Sequence, residues 1–257
     1  MRATRLYVNQ KLAVNEEVRL DDKTRHHATA VLRINKHSPL VLFNGDGYDY
    51  PGQPATFHRK SATVLITDRI RAKKESMLET HLVLGVSKSS HMDYAVQKTV
   101  EAGVTEIHPV ITERTVTRFS GKSGVNRQPH WQNVIISACE QCGRATLPIL
   151  HQIRDLSDMS PVSEDARGFV LDIQSSRTLA QSGCETLKKA WFVIGPEGGL
   201  TRCETNQVME RGFEAITLGP RTLRTETAAL AAILGAQMLW GDLSMQHSHG
   251  PGYPAPP

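Results

Sequence analysis

Through the first seventy residues, apolar positions come in short runs broken by turn chemistry. Arg5–Val8, Glu17–Leu20, Pro39–Phe43 and Ala62–Ile66 read as strands. Asn44-Gly45-Asp46-Gly47 and Pro51-Gly52 read as turns between them. One helical patch intervenes, Lys23–Ile34, with Ala28, Val31, Leu32 and Ile34 on its apolar side. Short strands at regular spacing predict a small β-barrel. Asp68–Ser76 is polar and charged without a period, and reads as a linker.

From His81 the pattern becomes strand, helix, strand. His81–Val86 is a predicted strand, and Ser90 with Asp93 three residues on reads as a helix cap. Met92, Ala95/Val96 and Thr99/Val100 follow at helical spacing, and Gly103 ends that pattern. Val104–Ile111 is the next strand, and a polar loop follows. Pro129–Cys142 is a helix whose stripe Trp131, Val134/Ile135, Ala138/Cys139 and Cys142 is core rather than chemistry. Leu147–Leu150 and Gly168–Ile173 are further strands.

Two later stretches share one design. Trp191–Ile194 and Ile216–Leu218 are apolar runs that end at Gly-Pro, followed by a polar loop and a helix signal. Such a unit places backbone N–H groups around a ligand at the carboxyl ends of strands. Gly195, Gly198, Gly199 and Gly219 admit close approach or positive φ. Pro196 and Pro220 stiffen the loops. Thr201-x-x-Glu204 is a capping box for a helix ending near Gly212, and Thr225 begins a last helix. Ala228–Leu239 is apolar nearly all round, so that helix belongs in a core or a subunit interface.

Composition adds three points. Residues 1–75 carry 14 Lys+Arg against 8 Asp+Glu, while the remaining residues carry 16 against 18. A basic front half suits a polyanion-binding module. Cys139 and Cys142 form a lone C-x-x-C late in a helical pattern, without the second half of a zinc site; together with Cys184 and Cys203 they read as buried thiols of a reducing compartment. The apolar runs are too short for a membrane span, the N-terminus lacks an apolar signal core, and residues 245–257 are poor in core formers. A cytoplasmic protein with a disordered tail is expected, its His247 and His249 having no assigned role.

The two loops match neither G-x-x-x-x-G-K-[ST], G-x-G-x-x-G nor G-x-S-x-G, which counts against phosphate, dinucleotide and esterase sites. A neutral or zwitterionic ligand held by backbone hydrogen bonds remains. Arginine stays protonated and so stabilises a developing anion rather than acting as a base. Glu226 is open between a helix-dipole charge and a catalytic carboxylate.

IGPEGGLT at Ile194–Thr201 and LGPRTLRTETAA at Leu218–Ala229 closely resemble the signature of SPOUT methyltransferases, and more narrowly the ribosomal RNA small subunit methyltransferase E family. Arg5-Leu6-Tyr7, Val31-Leu32-Arg33, Gln97-Lys98, Glu113-Arg114 and Glu140-Gln141-Cys142-Gly143-Arg144 extend the resemblance along the chain. It implies an α/β SPOUT domain over 73–244 with a deep C-terminal trefoil knot, preceded by a PUA-like β-barrel RNA-binding domain over 1–72. It implies a homodimer that methylates N3 of a uridine in 16S ribosomal RNA of the small ribosomal subunit. S-adenosylmethionine would sit on Leu171, Gly195, Pro196, Glu197, Gly198, Gly199, Leu218, Gly219, Arg221, Leu223, Arg224 and Thr225. Arg224 and Glu226 are the expected catalytic residues, and a water or direct transfer to solvent competes with Glu226 as proton acceptor. Arg2, Arg5, Arg25, His27, Arg33, Lys88, Arg114 and Arg144 are the expected RNA contacts. Two other functions stay open: an RNA-binding ribosome-assembly factor without turnover, and a SPOUT enzyme acting on another RNA. The chain departs from the family pattern at Ser87-Lys88-Ser89-Ser90, Glu101-Ala102-Gly103 and Lys36-His37-Ser38-Pro39.

Overall fold

The structure is a computed structural model that describes residues 3–32, 34–35, 38–58, 61–115, 127–183 and 186–244. Its strands in chain order are β1 (Thr4–Tyr7), β2 (Glu17–Arg19), β3 (Leu40–Phe43), β4 (Tyr48–His58), β5 (Ser61–Ile66), β6 (Ile70–Arg71), β7 (Glu79–Gly85), β8 (Glu106–Ile111), β9 (Ile149–Leu150), β10 (Arg154–Asp155), β11 (Arg167–Leu171), β12 (Lys189–Ile194) and β13 (Phe213–Ile216). Its α-helices are α1 (Asp22–His26), α2 (Ser89–Glu101), α3 (Gln128–Cys142), α4 (Arg202–Glu210) and α5 (Thr225–Trp240). The chain divides into two compact units. One comprises Met1–Glu75, Val96–Glu101 and Phe119–Leu150; the other comprises Ser76–Ala95, Ala102–Arg118 and His151–Pro257.

In the first unit the strands run in the order β1-β3-β4-β5-β2, with β6 against β4. The β1–β3 pair is parallel and the others are antiparallel. Inward-facing Leu6, Val18, Leu42, Tyr50, Val64 and Ile66 make its core with Ala28 and Ile34. The expected turn at Pro51-Gly52 is instead the middle of the eleven-residue β4. Proline fits there because a strand position that need not donate tolerates it. The Pro51 carbonyl still accepts from the Thr67 N–H at 2.9 Å. Glycine fits because a Cβ at Gly52 would lie 2.6 Å from Val64 Cγ1. The expected linker likewise contributes β6, which pairs Ile70 and Arg71 with Asp49 and Tyr48.

The predicted helix Lys23–Ile34 is one α-turn, capped by Asp21 accepting from the Thr24 N–H, that widens into a π-turn over His27–Val31. The wider turn, closed by Leu32 N–H on the His27 carbonyl, shifts the helical phase. Leu32 is therefore 38% exposed, although its spacing had placed it on the apolar side. Helix α3 follows most of its predicted stripe: Trp131, Ile135, Ala138 and Cys139 are buried, Val134 and Cys142 at its margins are half-buried, and Gly143 ends it at φ +91°.

The second unit carries a parallel sheet in the order β10-β8-β7-β12-β11-β13. Parallel strands need crossovers and are buried on both faces, which accounts for the continuous apolar runs Leu82–Leu84 and Phe192–Ile194. Helix α2 begins at Ser89, so Ser90 stands inside its first turn rather than at the cap. Helix α4 starts at the predicted capping box, with both Thr201 and Glu204 hydrogen bonds formed. Helix α5 buries Ala228, Ala229, Ala232, Ile233, Ala236 and Gln237. Its end is different: Met238 is 63% exposed, and Leu239 and Leu243 are exposed too. No helix among the described residues is long and apolar enough to cross a membrane.

Candidate active site

Because β11, β12 and β13 are parallel, their carboxyl ends come together. Leu171 is in register with Ile216, and Val170 with Val193. Leu171, Ile194 and Ile216 form the floor of a cavity of about 700 Å³ that the two glycine loops enclose. Its size falls in the ordinary range for small-molecule sites, roughly 300–1,000 Å³.

The first loop is a tight turn closed by the Gly199 N–H on the Pro196 carbonyl at 2.8 Å. A Cβ at Gly195 would lie 2.7 Å from the Gly199 carbonyl carbon and the Leu200 nitrogen, so only glycine lets the loop fold back on itself. Gly85, at the end of β7, gives Pro196 its seat; a Cβ there would meet the proline ring at 2.5 Å. The loop is also tied from outside. Arg114 Nη1 donates to the Gly198 carbonyl at 2.9 Å, and Glu204 accepts from the Glu113 N–H at 2.8 Å. The second loop bends at Gly219, φ +114°, and Thr217 Oγ1 donates to the Gly219 carbonyl. It runs into α5 through Arg224, whose side chain makes no capping bond. The first-turn N–H groups of α5 are thus left to water or a ligand.

Eleven of the twelve expected cofactor residues line this cavity: Leu171, Gly195, Pro196, Glu197, Gly198, Gly199, Leu218, Arg221, Leu223, Arg224 and Thr225. Gly219 is not in the lining and acts by bending the loop. Glu226 lines the cavity, as does Lys88, which had been assigned to RNA. Thr222, one of the polar residues of the second loop, lines it too; sequence reasoning missed His91, Asp172 and Thr217, which line it as well. His91 has no local signal: it stands in the first turns of α2 and reaches the site only because β7 lies beside β12.

There it organises the site's charge. His91 Nδ1 is 3.0 Å from Glu197 Oε1 and 4.0 Å from Glu226 Oε2. Glu197 Oε1 also accepts from the Lys88 N–H at 2.9 Å. Burial opposes charge on Glu197, but the backbone N–H bonds, that of Lys88 first, and the His91 contact outweigh it and hold the carboxyl below its ordinary range. Glu226 Oε2 is buried without a hydrogen-bond partner among the described residues. The site therefore combines an apolar floor, backbone donors, two exposed arginines (Arg221 and Arg224) and a carboxylate oxygen with unused acceptor capacity.

The expected RNA contacts fare unevenly. Arg144 is 4% exposed; it pairs with Glu75 at 2.6 Å and donates to the Val100 carbonyl, so it is a structural arginine with no face for a phosphate. Arg5 pairs with Asp49 at 2.7 Å, donates to the Arg144 carbonyl and lies over the Phe43 ring. Composition alone does not reveal such buried partners. Arg114 is exposed but holds the Gly198 loop. Arg25 pairs with Asp22, and His27 opens the π-turn. Arg2, Arg33, Lys36, His37, Cys184 and the tail 245–257 lie outside the described residues.

Comparison with known proteins decides the family. Residues 74–237 match the model of the RNA methyltransferase domain. Over 249 residues the chain is 32% identical to ribosomal RNA small subunit methyltransferase E of Buchnera aphidicola subsp. Schizaphis graminum, covering 95% of this chain and 99% of that one. The chain belongs to the ribosomal RNA small subunit methyltransferase E family. Its solved relatives include the methyltransferase E of Neisseria gonorrhoeae bound to S-adenosyl methionine, 36% identical with a TM-score of 0.87 over 94% of this chain and 99% of that one. A protein of Legionella pneumophila in complex with the cofactor SAM is 32% identical, with a TM-score of 0.89 over 94% and 100%. In both comparisons the likeness in fold extends over nearly the whole of each chain.

Proposed function

We propose that this protein transfers a methyl group from S-adenosylmethionine to N3 of a specific uridine in the 16S ribosomal RNA of the small ribosomal subunit. The observation that carries the proposal is the cavity at the ends of β11, β12 and β13, whose lining is the pair of loops that resemble the family signature. The residues fit the cofactor. Leu171, Ile194, Ile216, Leu218 and Leu223 offer apolar walls to an adenine, and the backbone of Gly195–Gly199 and Leu218–Arg224 offers its donors and acceptors. The further reading is of a trefoil knot in a SPOUT domain over 73–244 and a PUA-like RNA-binding barrel over 1–72. A homodimer completes it, supported by the exposed apolar end of α5 at Met238, Leu239 and Leu243.

When bound, S-adenosylmethionine supplies an electrophilic methyl group on a sulfonium sulfur. The chain's own residues handle the uracil. N3 attacks only after losing its proton, and negative charge then spreads to the ring oxygens. Arg224, exposed at the mouth of α5, orients the base and stabilises that charge. Glu226 takes the N3 proton at Oε2, the oxygen that has no other partner. His91, held by Glu197, stands 4.0 Å from that oxygen.

The test is to incubate the protein with labelled S-adenosylmethionine and small ribosomal subunits lacking the modification, and then to map the methyl group. Label on N3 of one uridine of 16S RNA supports the proposal. Cofactor binding without incorporation would make the protein an assembly factor, and a methyl group on another RNA would make it a different SPOUT enzyme.

A further inference from the structure

At the amino end of the same parallel sheet, away from the cavity at the carboxyl ends, three strands present polar aromatic side chains in one row. His81 on β7 is in register with Glu106 on β8 and with Trp191 on β12, and His108 is two residues beyond Glu106. Side chains alternate along a strand, so all four point to one face. His81 and His108 are 5% and 4% exposed.

His81 Nδ1, His108 Nε2 and Glu106 Oε2 form a nearly equilateral triangle with edges of 3.4, 3.5 and 3.6 Å. An ion bound tetrahedrally with bonds of about 2.0–2.1 Å sets its ligand atoms roughly 3.3–3.4 Å apart. We propose that His81, His108 and Glu106 form a binding site for a divalent transition-metal ion, zinc foremost, that pins β7 to β8.

The surroundings suit that role. Trp191 stacks on the His81 ring at 4.1 Å and His151 on the His108 ring at 3.9 Å, which fixes both imidazole planes. The Nε2 of His151 is 2.5 Å from Glu106 Oε2, and Glu79 Oε2 lies 3.9 Å from the far nitrogen of His81. The His151 contact is of the kind that orients a metal ligand. Two nitrogens with one oxygen favour a first-row transition ion over magnesium or calcium, and three protein ligands leave a fourth position for water. A metal-free polar layer explains the His151–Glu106 contact. It also allows one N–H···N bond between His81 Nδ1 and His108 Nε2, but a single proton between two nitrogens does not account for Glu106 Oε2 closing the triangle at 3.5 and 3.6 Å from both.

The experiment uses the full chain carrying His247→Ala and His249→Ala, which removes the tail histidines as competing ligands, stripped of metal with a chelator. Titration with Zn2+ alone should show one ion per chain. Tm should rise by roughly 5–10 °C when free Zn2+ stands a hundredfold above its Kd. Co2+ should give the intense visible absorption of a four- or five-coordinate site. Glu106→Gln and His108→Asn should abolish the absorption and the Tm rise, while His151→Ala should weaken affinity roughly 10–100-fold. If His108→Asn does not fold, the partly exposed Glu106 carries the test. Absence of stoichiometric binding to the unsubstituted site, or a Tm rise that survives Glu106→Gln and His108→Asn, would overturn the proposal.

Discussion

Arg114 Nη1 donates a hydrogen bond to the carbonyl of Gly198 at 2.9 Å. The loop that shapes the cavity is therefore held by a side chain 84 positions away, in the turn that follows β8. Arg114→Ala should leave the fold intact and weaken S-adenosylmethionine binding by roughly 2–12-fold, the worth of one hydrogen bond that orders a loop. Isothermal titration of the variant checks this. An unchanged Kd would mean that the loop holds itself.

Arg224 and Glu226 separate binding from chemistry. Arg224→Ala should lower single-turnover methylation by about 10²–10³-fold, the usual cost of a lost charge-stabilising donor, while the backbone cradle keeps its cofactor. Glu226→Gln should lower it by about 10²–10⁴-fold with cofactor binding unchanged. Near-normal turnover in Arg224→Ala with cofactor binding intact would exclude its proposed role.

Glu197 makes stability depend on pH in a definite sense. Its folded carboxyl titrates below the ordinary value, so its contribution is complete above the unfolded value and is lost as pH falls through the lower, folded one. Glu197→Gln should therefore be less stable than the parent at neutral pH, and the gap should close in acid. Thermal unfolding of both proteins between about pH 3 and 7 measures it. A gap that stays constant in acid would assign the loss to packing instead.

The cysteines should differ in reactivity. Burial pushes the Cys139 thiol up to about 12, whereas Cys203, against the expectation of buried thiols, is exposed because it lies on the outer side of the first turn of α4. Iodoacetamide at mildly alkaline pH should label Cys203 readily and Cys139 only after unfolding, as read by peptide mass spectrometry. Equal labelling in the native state would mean that α3 opens easily.

What the sequence determined by itself was local. Gly143 and Gly103 end helices because positive φ is open to them, and Thr201 with Glu204 starts one because donor and acceptor lie three residues apart. The two Gly-Pro loops and their lining residues were legible for the same reason, and the family resemblance rested on them. Tertiary structure decided whatever depends on strand order. Insertion of β7 between β8 and β12 brings His91 to Glu197, and it lines up His81, Glu106 and Trp191. Burial of Arg144 against Glu75, and the straight passage of β4 through Pro51 and Gly52, depend likewise on neighbours far along the chain. Periodicity and φ preference act over a few residues. Which side chains meet across a sheet is set by the pairing of distant strands, and no short window of sequence contains it.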